Sequence, residues 1–74
     1  LTTLVQSPVS KNLLFKSCTL PDLNARLADM GMIPGTIWKL IQKVPFSGPL
    51  ILSNGETRIS VRKADAEKIF VDPA

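Results

Sequence analysis

The sequence predicts a small, mainly β domain: about five antiparallel strands curled into a barrel, with one α-helix between the first and second strands and a short helical turn near the C-terminus. Three observations predict it. Apolar residues alternate with a period of two over several short stretches, and Pro- and Gly-containing turns separate those stretches. One stretch alone, Leu20 to Met30, keeps helical spacing. Curling such a sheet into a barrel is how a short antiparallel chain hides vulnerable strand edges.

Residues 1–12, with Ser7, Pro8, Ser10 and Asn12, show no sustained periodicity and are read as an irregular lead-in from which Leu4 and Val5 reach a sheet edge. Leu13 to Cys18 is the first strand, with Leu13, Phe15 and Ser17 on one face and Leu14, Lys16 and Cys18 on the other. Thr19 followed by Asp22 resembles a capping box, and Pro21 suits a first helical turn. Leu20, Leu23, Leu27 and Met30 then form an apolar face that seeks a core, with Asp22 and Arg26 paired on another face. Gly31 fits the left-handed residue that ends a helix, Met32 the accompanying apolar contact, and Pro34 the stop.

Pro34-Gly35 is a turn that launches the longest strand, Thr36 to Val44. Its two faces are Trp38, Leu40, Gln42, Val44 and Ile37, Lys39, Ile41, Lys43. With Trp38 and Leu40 inward, Ile37 and Ile41 either lie under the helix or form an apolar patch framed by lysines. Helix cover is the expected arrangement. Pro45 ends the strand, and Phe46-Ser47-Gly48-Pro49 connects to Leu50–Ser53. Asn54-Gly55 predicts a two-residue type I′ turn into the partner strand Glu56 to Val61. The stretch Lys63 to Lys68 is read as one helical turn and Ile69 to Val71 as the last strand. This order favours an SH3-like barrel over the OB-fold, which usually runs longer and places its helix between the third and fourth strands.

With 74 residues the chain is expected to hold a single domain spanning 1–74. A domain of that size buries only roughly 60% of the surface its unfolded chain exposes, leaving little room for a deep catalytic cleft. One cysteine, Cys18, cannot form an internal disulfide, and the absence of His removes the commonest general base and transition-metal ligand. Cys18 is read as a small buried hydrophobe. No stretch has the length of a bilayer span or the pattern of a signal peptide, so a cytoplasmic protein is expected.

Asp22, Asp29, Asp65 and Glu67 are read as solvated charges, since none lies in an oxygen-rich loop. No phosphate loop, activated nucleophile or oxyanion motif is present, so no enzyme activity and no cofactor are expected. Nine Lys/Arg against six Asp/Glu give a net charge of +3. Arg58, Arg62 and Lys63 with Lys39 and Lys43 form the basic strip that a nucleic-acid-binding barrel would use. One Trp and three Phe leave no stacking platform, so nucleic acid is not the expected partner.

The run Arg26-Leu27-Ala28-Asp29-Met30-Gly31-Met32-Ile33-Pro34-Gly35-Thr36, followed by Val44-Pro45-Phe46-Ser47-Gly48-Pro49-Leu50, resembles the ferrous iron transport protein A (FeoA) family. Met30 stands where Leu is usual. The later segment Ile59 to Ala66 and the strand Ile69-Phe70-Val71 continue the resemblance, which covers almost everything after residue 11. It implies an SH3-like fold and an accessory or regulatory role in the cytosol beside FeoB, the membrane ferrous iron transporter with a GTP-hydrolysing domain. On this reading the protein reaches the membrane only through that partner, modulating its assembly or GTP-linked activity. Similar domains occur as the C-terminal module of iron- and manganese-dependent repressors, which leaves a metal-sensing module as an alternative. The residues expected to meet a partner are Arg26, Met30, Met32, Pro34, Gly35, Ile37, Ile41, Pro45, Phe46, Gly48 and Pro49. No metal ligand or catalytic residue is expected.

Overall fold

The computed structural model describes residues 1–74 and contains six strands and two α-helices. In chain order these are β1 (Thr2–Thr3), β2 (Asn12–Cys18), α1 (Pro21–Asp29), β3 (Ile37–Lys43), β4 (Leu50–Ser53), β5 (Arg58–Val61), α2 (Lys63–Ala66) and β6 (Ile69–Pro73). All pairings are antiparallel and the spatial order is β1-β6-β2-β3-β4-β5. The long helix thus follows the second strand, because Thr2–Thr3 adds an edge strand that the sequence pattern did not show. β1 and β5 end the order and do not pair with each other, so the sheet curls round one core without a closed ladder.

Fifteen buried apolar residues form that core. Trp38 and Leu40 of β3, Leu13 and Phe15 of β2, Leu50 and Leu52 of β4, Ile59 and Val61 of β5, and Ile69 and Val71 of β6 all point into it, as a period of two requires. Trp38 keeps its polar handle satisfied: its indole N–H donates to Thr36 Oγ1 at 2.9 Å, and that hydroxyl donates to the Ile33 carbonyl at 2.6 Å.

Two bulges redirect the alternation. In β2 the register slips between Phe15 and Ser17, so Ser17 is exposed and Cys18 packs against the core. In β3 it slips between Leu40 and Gln42, so Gln42 is exposed although parity grouped it with Trp38 and Leu40. Simple alternation fails at both places because the bulged residue adds one position to one strand only.

The lead-in is part of the fold and not an irregular arm. Leu4 opens a single 3-10 turn, Leu4–Gln6, and is fully buried. Buried Ser7 donates its hydroxyl to the Thr3 carbonyl at 3.0 Å, and the Ser10 N–H donates to the Leu40 carbonyl at 2.7 Å. Short-range periodicity cannot reveal such a segment, since its one core residue is anchored by distant partners.

Helix α1 begins with Leu20 as N-cap and Pro21 at its first position, and the Thr19 capping box does not form. Asp22 and Arg26 make no ion pair; the side-chain ion pairs are Lys16–Asp72 at 3.9 Å and Arg62–Asp65 at 3.4 Å. Of the expected apolar face only Leu23 and Leu27 are buried, while Leu20 and Met30 stay exposed at the ends of a helix two and a half turns long. Gly31 takes φ 88° and the Met32 N–H donates to the Leu27 carbonyl at 2.9 Å, so the left-handed helix stop forms and Met32 enters the core. The helix does not cover Ile37, which is 52% exposed, because α1 lies across the β2 and β5 side of the sheet.

The Asn54-Gly55 hairpin is wider than two residues. Asn54 Oδ1 accepts from the Glu56 and Thr57 N–H groups at 2.9 and 2.7 Å, only Gly55 has positive φ, and pairing starts at Ser53 and Arg58. The Asn side chain closes its own turn, which makes the type I′ geometry unnecessary and delays the strand to Arg58.

Candidate functional site

The residues expected to meet a partner separate into three surfaces. At the end of α1, Arg26 and Met30 flank a groove against Val61 and Arg62. On the outer face of β3, exposed Ile37 and half-buried Ile41 lie with Lys39 and the Asn54-Gly55 turn, forming the lysine-framed patch. The third surface is the β3–β4 connection, Val44 to Pro49. Met32 lies on none of them: it is 1% exposed and serves the core. Pro34 and Gly35 form an exposed turn tied to β2, where the Gly35 N–H donates to the Phe15 carbonyl at 2.9 Å and Gly35 takes φ 94°.

The β3–β4 connection departs furthest from ordinary backbone chemistry. The Gly48 N–H donates to the Pro45 carbonyl at 3.3 Å and the Val44 N–H to the Pro49 carbonyl at 3.0 Å, so Phe46 and Ser47 are the two central residues of a tight turn. Both take positive φ, 60° and 61°, where L side chains carry strain of about 1 kcal/mol or more each. Phe46 stands at the tip completely exposed. Gly48 has no positive φ. Its role is close approach: a Cβ there would lie 2.6 Å from Val44 Cγ1 and 2.7 Å from Val44 Cβ.

At the foot of the tip runs a groove of about 340 Å³ whose apolar walls are Val5, Val44 and Leu50. Lys43 and Lys63 flank it, and no acidic side chain lines it. The Lys43 ammonium donates to the Val5 carbonyl at 2.9 Å, which ties the N-terminal turn to the end of β3 and fixes one wall. Lys43 and Lys63, which the sequence placed in a basic strip, flank the Phe46 tip instead, and Val5 was not visible as a site residue in the sequence. Residues 38 positions apart meet here only because β1 and the 3-10 turn fold back on the sheet.

No three His, Cys, Asp or Glu side chains gather to share a metal ion. The Cys18 thiol is half-buried and donates to the Leu20 carbonyl at 3.6 Å. The donor set therefore does not make a transition-metal site.

The FeoA domain family model matches residues 3–73, nearly the whole chain. The chain belongs to the FeoA domain family. Among solved structures, FeoA from Chlorobium tepidum superposes with a TM-score of 0.88 at 22% identity over 97% of this chain and 70% of that one. FeoA from Stenotrophomonas maltophilia, solved with zinc and described as a prokaryotic SH3 domain protein, gives 0.78 at 25% identity over 97% and 91%. ScaR, solved with bound Zn²⁺, gives 0.87 at 19% identity over all of this chain but only 37% of ScaR. No curated protein sequence matches at significance. The fold seen here is thus shared with FeoA proteins and with one segment of longer chains, among them the manganese regulator SloR, of which 34% is covered with a TM-score of 0.82 at 19% identity.

Proposed function

We propose that this FeoA domain protein is a non-enzymatic accessory of ferrous iron uptake in the cytoplasm, binding a FeoB-type membrane transporter and modulating its assembly or GTP-linked activity. The observation that carries this reading is the FeoA family match over residues 3–73. The architecture is consistent with action by contact: the core is filled by packed side chains, and no helix is long and apolar enough to cross a membrane. The S. maltophilia relative is described as a candidate activating factor for ferrous iron transport, which supports the same role by kinship. The test is ferrous iron uptake and transporter GTP hydrolysis in cells and membranes with and without this protein. Undiminished uptake and unchanged hydrolysis in its absence overturn the reading.

A second reading, a metal-sensing module like the corresponding segment of the manganese regulator SloR, is favoured by the superposition on that protein. It predicts stoichiometric ferrous iron binding in anaerobic calorimetry. The accessory reading predicts none.

A further inference from the structure

We infer that the Phe46 tip and the groove at its foot are a docking site for an acidic segment on the cytosolic face of the transporter, an apolar side chain of which enters the groove between flanking carboxylates. The inference rests on the accessory reading and names the surface and the chemistry of the contact.

Four observations converge on this end of the barrel. Phe46 is a fully exposed aromatic ring that contributes nothing to the core. It is held there by two consecutive non-glycine residues with positive φ, in a turn where Asn-Gly would be strain-free. Folding alone gives no reason to keep Phe and Ser at those positions, and strain of this kind gathers at ligand clamps. The scaffold beneath the tip is firm, because Gly48 is pressed against Val44 and Lys43 is pinned to the Val5 carbonyl.

Charge decides the chemistry of the occupant. Lys43 and Lys63 are the only ionisable groups lining the groove. In the next depression, beyond Ser47, Arg62 is already paired with Asp65 at 3.4 Å, and the remaining acid is Glu67. Two lysines unmatched by carboxylates attract Asp or Glu, speed the encounter and fix the register. An apolar floor between them takes a Leu-sized side chain, with Phe46 closing over it as the aromatic anchor typical of interface centres. An anionic bilayer would satisfy the lysines and the Phe46 ring, but a flat surface leaves the recessed Val44 and Leu50 walls unfilled. The groove therefore favours a protein segment.

The experiment uses a FeoB-type transporter in nanodiscs of zwitterionic lipid, with empty nanodiscs containing anionic lipid as the second arm. Three forms of the protein are compared: wild type, Phe46→Asn with Ser47→Gly, and Lys63→Glu. The turn variant is expected to melt at higher temperature than wild type and yet to bind the transporter roughly tenfold more weakly or worse. Lys63→Glu, at the first position of α2 where an acidic residue suits the helix, should bind more weakly and lose the salt dependence of the wild-type interaction. Wild-type binding unchanged in both variants overturns this inference while leaving the accessory reading intact. Absence of wild-type binding to the transporter overturns both. Binding to the empty anionic discs that is lost in the turn variant, with transporter binding unaffected, assigns the tip to the membrane and overturns the protein-docking inference.

Discussion

Strain at Phe46 and Ser47 is a residue-scale property with a measurable size. Replacing them by Asn and Gly removes two unfavourable positive-φ conformations without taking any buried atom away. The expected gain is about 1 kcal/mol or more, which raises the melting temperature of a domain this small by roughly 4–8 °C. Thermal unfolding followed by circular dichroism checks it, and a fall in melting temperature counts against the strain argument. Trp38 supplies a second residue-scale case. Thr36→Val keeps the shape of the side chain but removes the acceptor of the buried indole N–H and the donor to Ile33. The expected loss is about 1–3 kcal/mol, the cost of an unpaired buried polar group, together with a shifted Trp38 emission in the native state. Unchanged denaturant midpoint and emission would show that water replaces the hydroxyl.

At the scale of elements, the N-terminal turn and the β3–β4 connection behave as one unit. Leu4 is fully buried, and Lys43 bonds back to Val5. Leu4→Ala should therefore cost about 2–5 kcal/mol, as for any core leucine, where an irregular lead-in would have predicted almost nothing. Urea titration distinguishes the two outcomes. For a 74-residue domain of roughly 4–11 kcal/mol total stability, that loss is a large share. Gly48→Ala tests the connection itself. Its φ is not positive, so the backbone tolerates Ala, but the new Cβ meets Val44 Cβ at 2.7 Å and something must shift. The expected effect is a loss of about 1–3 kcal/mol, typical of overpacking. A neutral result by the same titration would mean that the strand end gives way freely, and the groove would then lack the firmness that docking on it needs.

For the molecule as a whole, the surface divides by chemistry. Trp38 and Phe15 are buried, which leaves Phe46 as the one fully exposed aromatic and gives single-stranded nucleic acid no stacking platform. The basic residues Lys39, Arg58, Arg62 and Lys63 are exposed, so any nucleic-acid binding should be purely ionic and vanish steeply as salt rises. A polarisation titration at two salt concentrations checks this. Retention of tight binding at the higher salt would point to base contacts and revive the nucleic-acid reading. The metal question is also one for the whole molecule, since a ligand set must be gathered from several elements. Here no three His, Cys, Asp or Glu side chains are gathered together.

The sequence by itself determined five of the six strands, the single long helix, its Gly31 stop and the inward residues Trp38, Leu40, Ile59 and Val61, together with the family resemblance carried by Arg26 to Pro49. These follow from periodicity and turn chemistry, which act over a few residues and are written locally. Only the tertiary structure decided the rest. It seated Leu4 in the core, inserted bulges at Lys16 and Ile41, closed the Asn54 turn with a side chain, and exposed Ile37 where helix cover was expected. It also put left-handed backbone at Phe46 and Ser47 and brought Val5, Lys43 and Lys63 to the foot of that tip. Each of these depends on a partner far away in the chain. The packing of Val44 against Gly48, and of the N-terminal turn against β3, holds the tip in a conformation that its own residues disfavour.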